Sequence, residues 1–224
     1  MVNAAFLAAM ENILRLYRLA YDERYPVVCF DERPCFLIGD VVKGLELKAG
    51  QVYKQHYEYE KNGSCCLLLA IEPLSGKRIA MVYDQRRKVE YAEFMQLVAA
   101  QFPKAERIRL IQDNLNTHNS SSFYERFEAQ TAYELSQKFE FHYTPLKASW
   151  LNAAEIEFSA IARACLNRRI PTQEELTKHV LACVKERENK QIKISWQFSI
   201  TDARKKMNRH YVKVNPANEK HKYT

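Results

Sequence analysis

Apolar residues recur at every third or fourth position over residues 4–20, with Phe6, Leu7, Met10, Ile13, Leu14 and Tyr17 on one stripe. That spacing predicts an opening amphipathic helix. Pro26 closes the connection, and Val27 to Phe30 follow as an unbroken apolar run that leads straight into Asp31 and Glu32. A β-branched run apolar on both faces fits a strand inside a sheet covered on both sides. A loop is expected around Pro34 and Gly39. Residues 51–60 alternate, Asn62-Gly63 offers the positive φ angles of a type I′ turn, and SCCLLLAIEP continues from Ser64, so a β-hairpin is expected here. A second turn at Ser75-Gly76 leads into KRIAMVYD, a third consecutive strand.

The period then changes from two to about 3.6 residues. Val89, Phe94, Leu97 and Val98 mark a helix stopped by Pro103, and RIRLIQD (residues 107–113) is a strand ending on an aspartate. Residues 119–138 read as helix in two pieces, and FEFHYTP (139–145) as a strand stopped by its proline. One helix follows from about Asn152, a plausible N-cap, and another from Thr172 to about Glu188. Antiparallel strands followed by helix, strand, helix, strand and helix predict an α/β fold, a mixed sheet with helices on both faces. The strand ending at Asp31 and the strand ending at Asp113 would lie side by side and parallel. Their carboxyl ends are where an open α/β sheet places its ligands.

Composition narrows the function. With 224 residues, 47% hydrophobic and 27% charged, one globular domain is the default. No apolar run nears the roughly 20 residues that span a bilayer, which argues against a membrane protein. Glu11, Arg15 and Arg18 interrupt any signal-peptide core. The five glycines are scattered, so a phosphate-cradling loop is excluded. Six cysteines without a CxxC pair suggest reduced, buried thiols in a cytosolic protein and give no zinc-binding pattern. The net charge of +7 lies wholly in residues 185–224, which hold eleven Lys or Arg against four acids. A polyanion contact is expected there, the plainer alternative being a solvated surface.

Asp31 and Asp113 end strands, and Glu155 and Glu157 both lie in the first turns of a late helix. Converging carboxylates without thiolates or paired histidines suit Mg²⁺ or Mn²⁺. Two such ions about 4 Å apart can drive in-line attack on a phosphodiester. Strand-end aspartates also serve as turn formers, so spacing alone does not decide. Glu155 and Glu157 stand roughly 200° apart on their helix, and geometry leaves both open. Glu32 should point to the side of its strand opposite Asp31. A glycosidase using two carboxylates would explain neither the third acid nor the basic tail.

The segments VVCFDERP, LIQDNLNTHN and FEFHYTPLKASWLNAAEIEFS, continued by ARACLNRRIP and WQFSITDARKKMNRHY, resemble the catalytic domain of bacterial insertion-sequence transposases of the mariner-type superfamily, the DDE endonucleases. The likeness covers residues 4 to about 212. It implies a ribonuclease-H-like five-stranded mixed sheet, divalent metal as two Mg²⁺ or Mn²⁺ ions, and DNA strand cleavage and transfer. Its pattern assigns Asp31, Asp113 and, through LNxxE, Glu155 as catalytic metal ligands. Glu157 is then expected to be an exposed acid or a partner of an arginine such as Arg163. His118 is expected to contact DNA or support a ligand, or else to bond its own loop. Trp150 is expected to stack on a base or to plug a packing gap. Lys147, in PLKASW, departs from the family pattern but remains a candidate DNA contact. Arg204, Lys205, Lys206 and Arg209 are expected to neutralise phosphates.

The resemblance suggests three parts: an N-terminal linker helix (1–25), a catalytic domain (26–184) and a basic C-terminal tail (185–224). Related transposases normally begin with helix-turn-helix modules, for which nothing before Asp31 leaves room. The chain is therefore expected to be a truncated product or the downstream frame of a frameshifted element. It would partner element ends and target DNA, copies of itself in a synaptic complex and an upstream helix-turn-helix product, in a bacterial cytoplasm at the nucleoid. The alternative is an inactive DNA-binding or assembly remnant.

Overall fold

The computed structural model describes residues 2–41 and 57–220. Strands β1 (Val27–Asp40), β2 (Tyr59–Glu72), β3 (Lys77–Tyr83), β4 (Ile108–Gln112) and β5 (Phe139–Tyr143) form one sheet in the order β3-β2-β1-β4-β5. The first three pair antiparallel, while β4 runs parallel to β1 and β5 parallel to β4. Parallel pairing needs a crossover. Helix α1 (Ala4–Leu16) precedes the sheet, α2 (Lys88–Gln101) links β3 to β4, and α3 (Ser121–Arg126) with α4 (Ala129–Lys138) links β4 to β5. The expected mixed sheet with helices on both faces is therefore present, and so is the parallel β1–β4 pair.

The pleat of β1 separates two cores. Val28 and Phe30 pack with Leu68, Leu110, Phe94, Met95 and Phe123 beneath α2 and α3. Val27 and Cys29 turn to the other face, where Ile111 and the buried stripe of α1 meet them. Also on that side, Leu67 and Leu69 pack under α5 (Ala154–Ile161) and α6 (Gln173–Asn189).

Three local expectations are corrected. β1 does not stop at Asp31 but runs on through Pro34 and Gly39 to Asp40, paired with β2. Its pairing with β4 spans only Val27–Cys29, so a proline farther along costs no ladder bond on that side. Asn62-Gly63 is not a hairpin turn. Leu37 pairs with Gly63 and Ile38 with Lys61, so Asn62 is the extra residue of a β-bulge, and Gly63 absorbs it at φ 112°. Leu97, expected on the buried stripe, is exposed on α2. Residues 51–56 of the expected hairpin lie outside the described residues. The Ser75-Gly76 turn forms as expected, with the Gly76 amide donating to Glu72 O at 2.9 Å.

Residues 200–214 are also folded. Helices α7 (Ile200–Lys206) and α8 (Asn208–Val214) place Ala203 and Tyr211 in the core that buries Leu7, Met10, Ile13 and Leu14 of α1. Ser199 and Asp202 form a capping box at the start of α7. Five cysteines are buried and all six are free thiols.

Candidate active site

In the parallel β1–β4 ladder Cys29 pairs with Ile111. Asp31 and Asp113 each lie two residues beyond that pair, so the pleat directs both toward the face of Cys29 and Ile111. The start of α5 is tied to the same place by Asn152. Its Nδ2 donates to Phe30 O at 2.7 Å and lies 3.3 Å from Asp31 Oδ2, while its Oδ1 accepts from the Ala154 amide at 3.1 Å. Tyr17, which caps the end of α1, secures the preceding turn, donating to Leu151 O at 2.7 Å and accepting from the Ala153 amide at 3.0 Å. Glu155, one residue into α5, is thereby brought to Asp31. Burial pushes the Asp31 carboxyl up to about 7; the Glu32 amide opposes this, and the charges of Glu155 and Asp113 add to it. Mutual repulsion of that kind marks three carboxylates sharing one neighbourhood.

His118 is buried rather than displayed on the surface. It is 1% exposed, its Nδ1 donates to Asp113 Oδ1, and its Nε2 lies 3.4 Å from Glu32 Oε2. Burial alone would lower its pKa, but the hydrogen bonds to Asp113 and Glu32 outweigh this and raise it to about 9. Glu32 points to the face opposite Asp31, as expected, and reaches Asp113 only through the imidazole. Gln112 and Tyr143 both donate to His118 O, at 2.7 and 3.1 Å.

Glu157 is neither exposed nor paired with Arg163. It is 0% exposed, and its carboxylate takes two hydrogen bonds each from Arg78 (2.8 and 3.0 Å) and Arg187 (2.6 and 2.9 Å). Burial opposes its charged form, but the two arginines prevail and lower its pKa. The two acids that helix geometry alone left open thus separate: the charge of Glu155 acts on Asp31, and Glu157 anchors α5 to β3 and α6. The helix period put them on different faces, but only the arrival of two arginines decides which face is interior.

The basic residues separate as well. Arg204 forms a bidentate pair with Glu11 of α1 at 2.8 and 2.9 Å, so it stabilises the terminal packing. Lys205, Lys206 and Arg209 are exposed, and Lys206 Nζ lies 5.2 Å from the Phe198 ring. Lys147, in the left-handed region at φ 64°, is exposed and lines a groove of about 820 Å³ with Asp113, Asn114 and Thr144. Trp150 is 46% exposed and meets Phe198 edge-on at 5.6 Å, so it is not a buried plug. The sequence reading gave no site role to Asn152, beyond a helix cap, or to Tyr17. A buried amide in LNAAE was the available signal for the first; for the second there was none.

The donor set suits a hard divalent cation. Asp31, Asp113 and Glu155 offer carboxylate oxygens, while burial holds the Cys29 thiol up at about 12, far from a thiolate ligand. Among the described residues no three His, Cys, Asp or Glu side chains converge as a ready-made ion cage. Asp113 already spends one oxygen on His118.

A five-stranded mixed sheet in the order β3-β2-β1-β4-β5, with Asp31 and Asp113 two residues beyond the last paired positions of its adjacent parallel strands, is a ribonuclease-H-like fold. The family model for DDE superfamily endonucleases matches residues 26–177, and the chain belongs to that family. Three solved structures of the Mos1 transposase are similar in fold. They are its strand transfer complex (15% identity, TM-score 0.56), its paired-end complex with the left transposon end (14%, 0.54) and the mariner paired-end complex with Mn (15%, 0.53). Each match covers 97% of this chain and 63 to 64% of the Mos1 chain. No curated protein matches by sequence.

Proposed function

We propose that this chain is a transposase catalytic domain that cleaves DNA at the ends of an insertion sequence and transfers the strand to target DNA. The placement of Asp31 and Asp113 on one face, each two residues beyond the paired Cys29 and Ile111 of the parallel strands, with the charge of Glu155 acting on Asp31, supports this most directly. The three would hold two Mg²⁺ or Mn²⁺ ions. Bound there, such ions supply Lewis-acid activation of an attacking oxygen and stabilisation of a leaving one. To hold a cation Asp31 would have to be ionised, against the burial that pushes its carboxyl up to about 7. Asn152 holds Asp31 Oδ2 and the first turn of α5 in one relation, and Lys147 offers a positive charge along the groove beside Asp113. Lys205, Lys206 and Arg209 supply sequence-independent phosphate contacts. Trp150 offers an exposed aromatic surface on which a base can stack.

The partners are element ends and target DNA, further copies of the chain in a synaptic complex, and an upstream helix-turn-helix product, in a bacterial cytoplasm at the nucleoid. Mos1 in paired-end and strand transfer complexes supports the DNA part of this reading. No helix among the described residues is long and apolar enough to cross a membrane. The test is strand cleavage and transfer in Mg²⁺ by the chain joined to its recognition module. Asp113→Asn should abolish both; undiminished activity would overturn the assignment.

A further inference from the structure

We propose that His118 is a positioning residue for Asp113, oriented in turn by Glu32 and Arg86, which fixes Asp113 Oδ1 and leaves Oδ2 for a cation. The inference rests on the reading of Asp113 as a metal ligand and adds to it the device that aims that ligand. Asp113 lies just past the end of β4 with its side chain 38% exposed, so the strand ladder does not fix its rotamer. The buried imidazole does. Both its nitrogens face carboxylates, Nδ1 donating to Asp113 Oδ1 and Nε2 lying 3.4 Å from Glu32 Oε2. Glu32 is itself held, its Oε1 accepting from Arg86 Nη1 at 2.9 Å.

The ring is wedged so that it cannot turn away. It stacks on Tyr91 at 4.9 Å and meets Phe30 edge-on at 5.1 Å, while Gln112 and Tyr143 pin its carbonyl. A histidine serving only as packing would need no carboxylate on either nitrogen, and burying Glu32 beside it would be costly. One imidazole thus joins β1, the end of β4 and the loop beyond it into a chain of charge-assisted hydrogen bonds ending on a single oxygen of Asp113. Partners of this kind behind a metal ligand typically change metal affinity tenfold to a hundredfold when removed.

The test is Mn²⁺ binding to the purified chain without DNA, read by electron paramagnetic resonance, with a thermal melt of each variant. An asparagine at 118 keeps an amide where Nδ1 stood; a glutamine places its amide toward Glu32 and loses Asp113. His118→Gln should weaken Mn²⁺ binding about tenfold or more, His118→Asn should stay within about threefold of wild type, and Asp113→Asn should make His118→Gln silent. Wild-type binding by His118→Gln, equal loss in both variants, or full additivity with Asp113→Asn would overturn the proposal. If neither His118 variant folds, Glu32→Gln decides: about tenfold weaker binding supports the relay and unchanged binding overturns it. Should Asp113→Asn itself bind Mn²⁺ like wild type, the metal-ligand reading falls and the relay with it. Loss by Asp113→Asn alone overturns only the relay.

Discussion

Glu155 and Glu157 differ by two residues and should fail in opposite ways. Glu157→Gln leaves the guanidinium of Arg78, 0% exposed, and that of Arg187, 19% exposed, around a neutral amide. Breaking one partner of a buried pair costs about 3–5 kcal/mol. For a chain of this size each kcal/mol lowers Tm by about 2–4 °C, so a fall on the order of 10 °C is expected at pH 7. Glu157 has its pKa lowered on folding, so its contribution is present above the ordinary carboxylate value near 4.5 and fades as pH falls through the lower folded value. The gap between wild type and variant should therefore shrink in melts below pH 4. Glu155→Gln, by contrast, should leave stability within about 1 kcal/mol of wild type, as it breaks no buried pair, and should abolish cleavage. Circular-dichroism melts and a nicking assay on both variants decide the matter. A Glu157→Gln protein that melts like wild type, or a Glu155→Gln protein that melts far lower and still cuts, would refute the reasoning.

Asp31→Asn should stabilise the metal-free protein at high pH. Its folded pKa of about 7 exceeds the ordinary 3.8, so the favourable contribution is complete below pH 3.8 and lost as pH rises through 7. At pH 8 relief of up to about 4 kcal/mol is available, and a variant less stable than wild type there would contradict this. Gly76→Ala should cost more than Gly63→Ala: both glycines sit at positive φ, but a Cβ at Gly76 would lie 2.6 Å from Ile192 O and one at Gly63 meets nothing within 4 Å. Gly63→Ala should cost about 1–2 kcal/mol in urea melts, and equal losses would argue against the close approach. Arg204→Ala should lower Tm, whereas Lys205→Ala with Arg209→Ala should leave Tm unchanged and reduce the salt dependence of DNA binding by about 0.9 per lost phosphate contact. An unaltered salt slope would remove these two from the DNA surface.

Periodicity determined most of the elements because the 3.6 and 2 repeats are local consequences of backbone geometry. The α1 stripe, the β4 and β5 runs and the Ser75-Gly76 turn needed no long-range information. Where neighbours intervene, the same cues misled. Pro34 reads as a loop, yet β4 has left β1 by that point; Asn62-Gly63 has turn composition, yet a bulge uses the same positive φ.

The sequence by itself determined the kinds of group present: hard-oxygen acids after apolar runs and early in a late helix, and positive charge concentrated after residue 184. It also carried the likeness of motifs that the family match bears out. Tertiary structure alone decided which of those groups meet. The parallel register sets Asp31 and Asp113 at the same level, and Asn152 ties the start of α5, which carries Glu155, to Asp31. Two arginines take Glu157 into the interior, and Glu11 claims Arg204 from the basic tail. The physical reason is that charge and hydrogen bonding act over a few ångströms of space, and residues as far apart as 31 and 152, or 11 and 204, acquire such distances only when the sheet and its covering helices close around them.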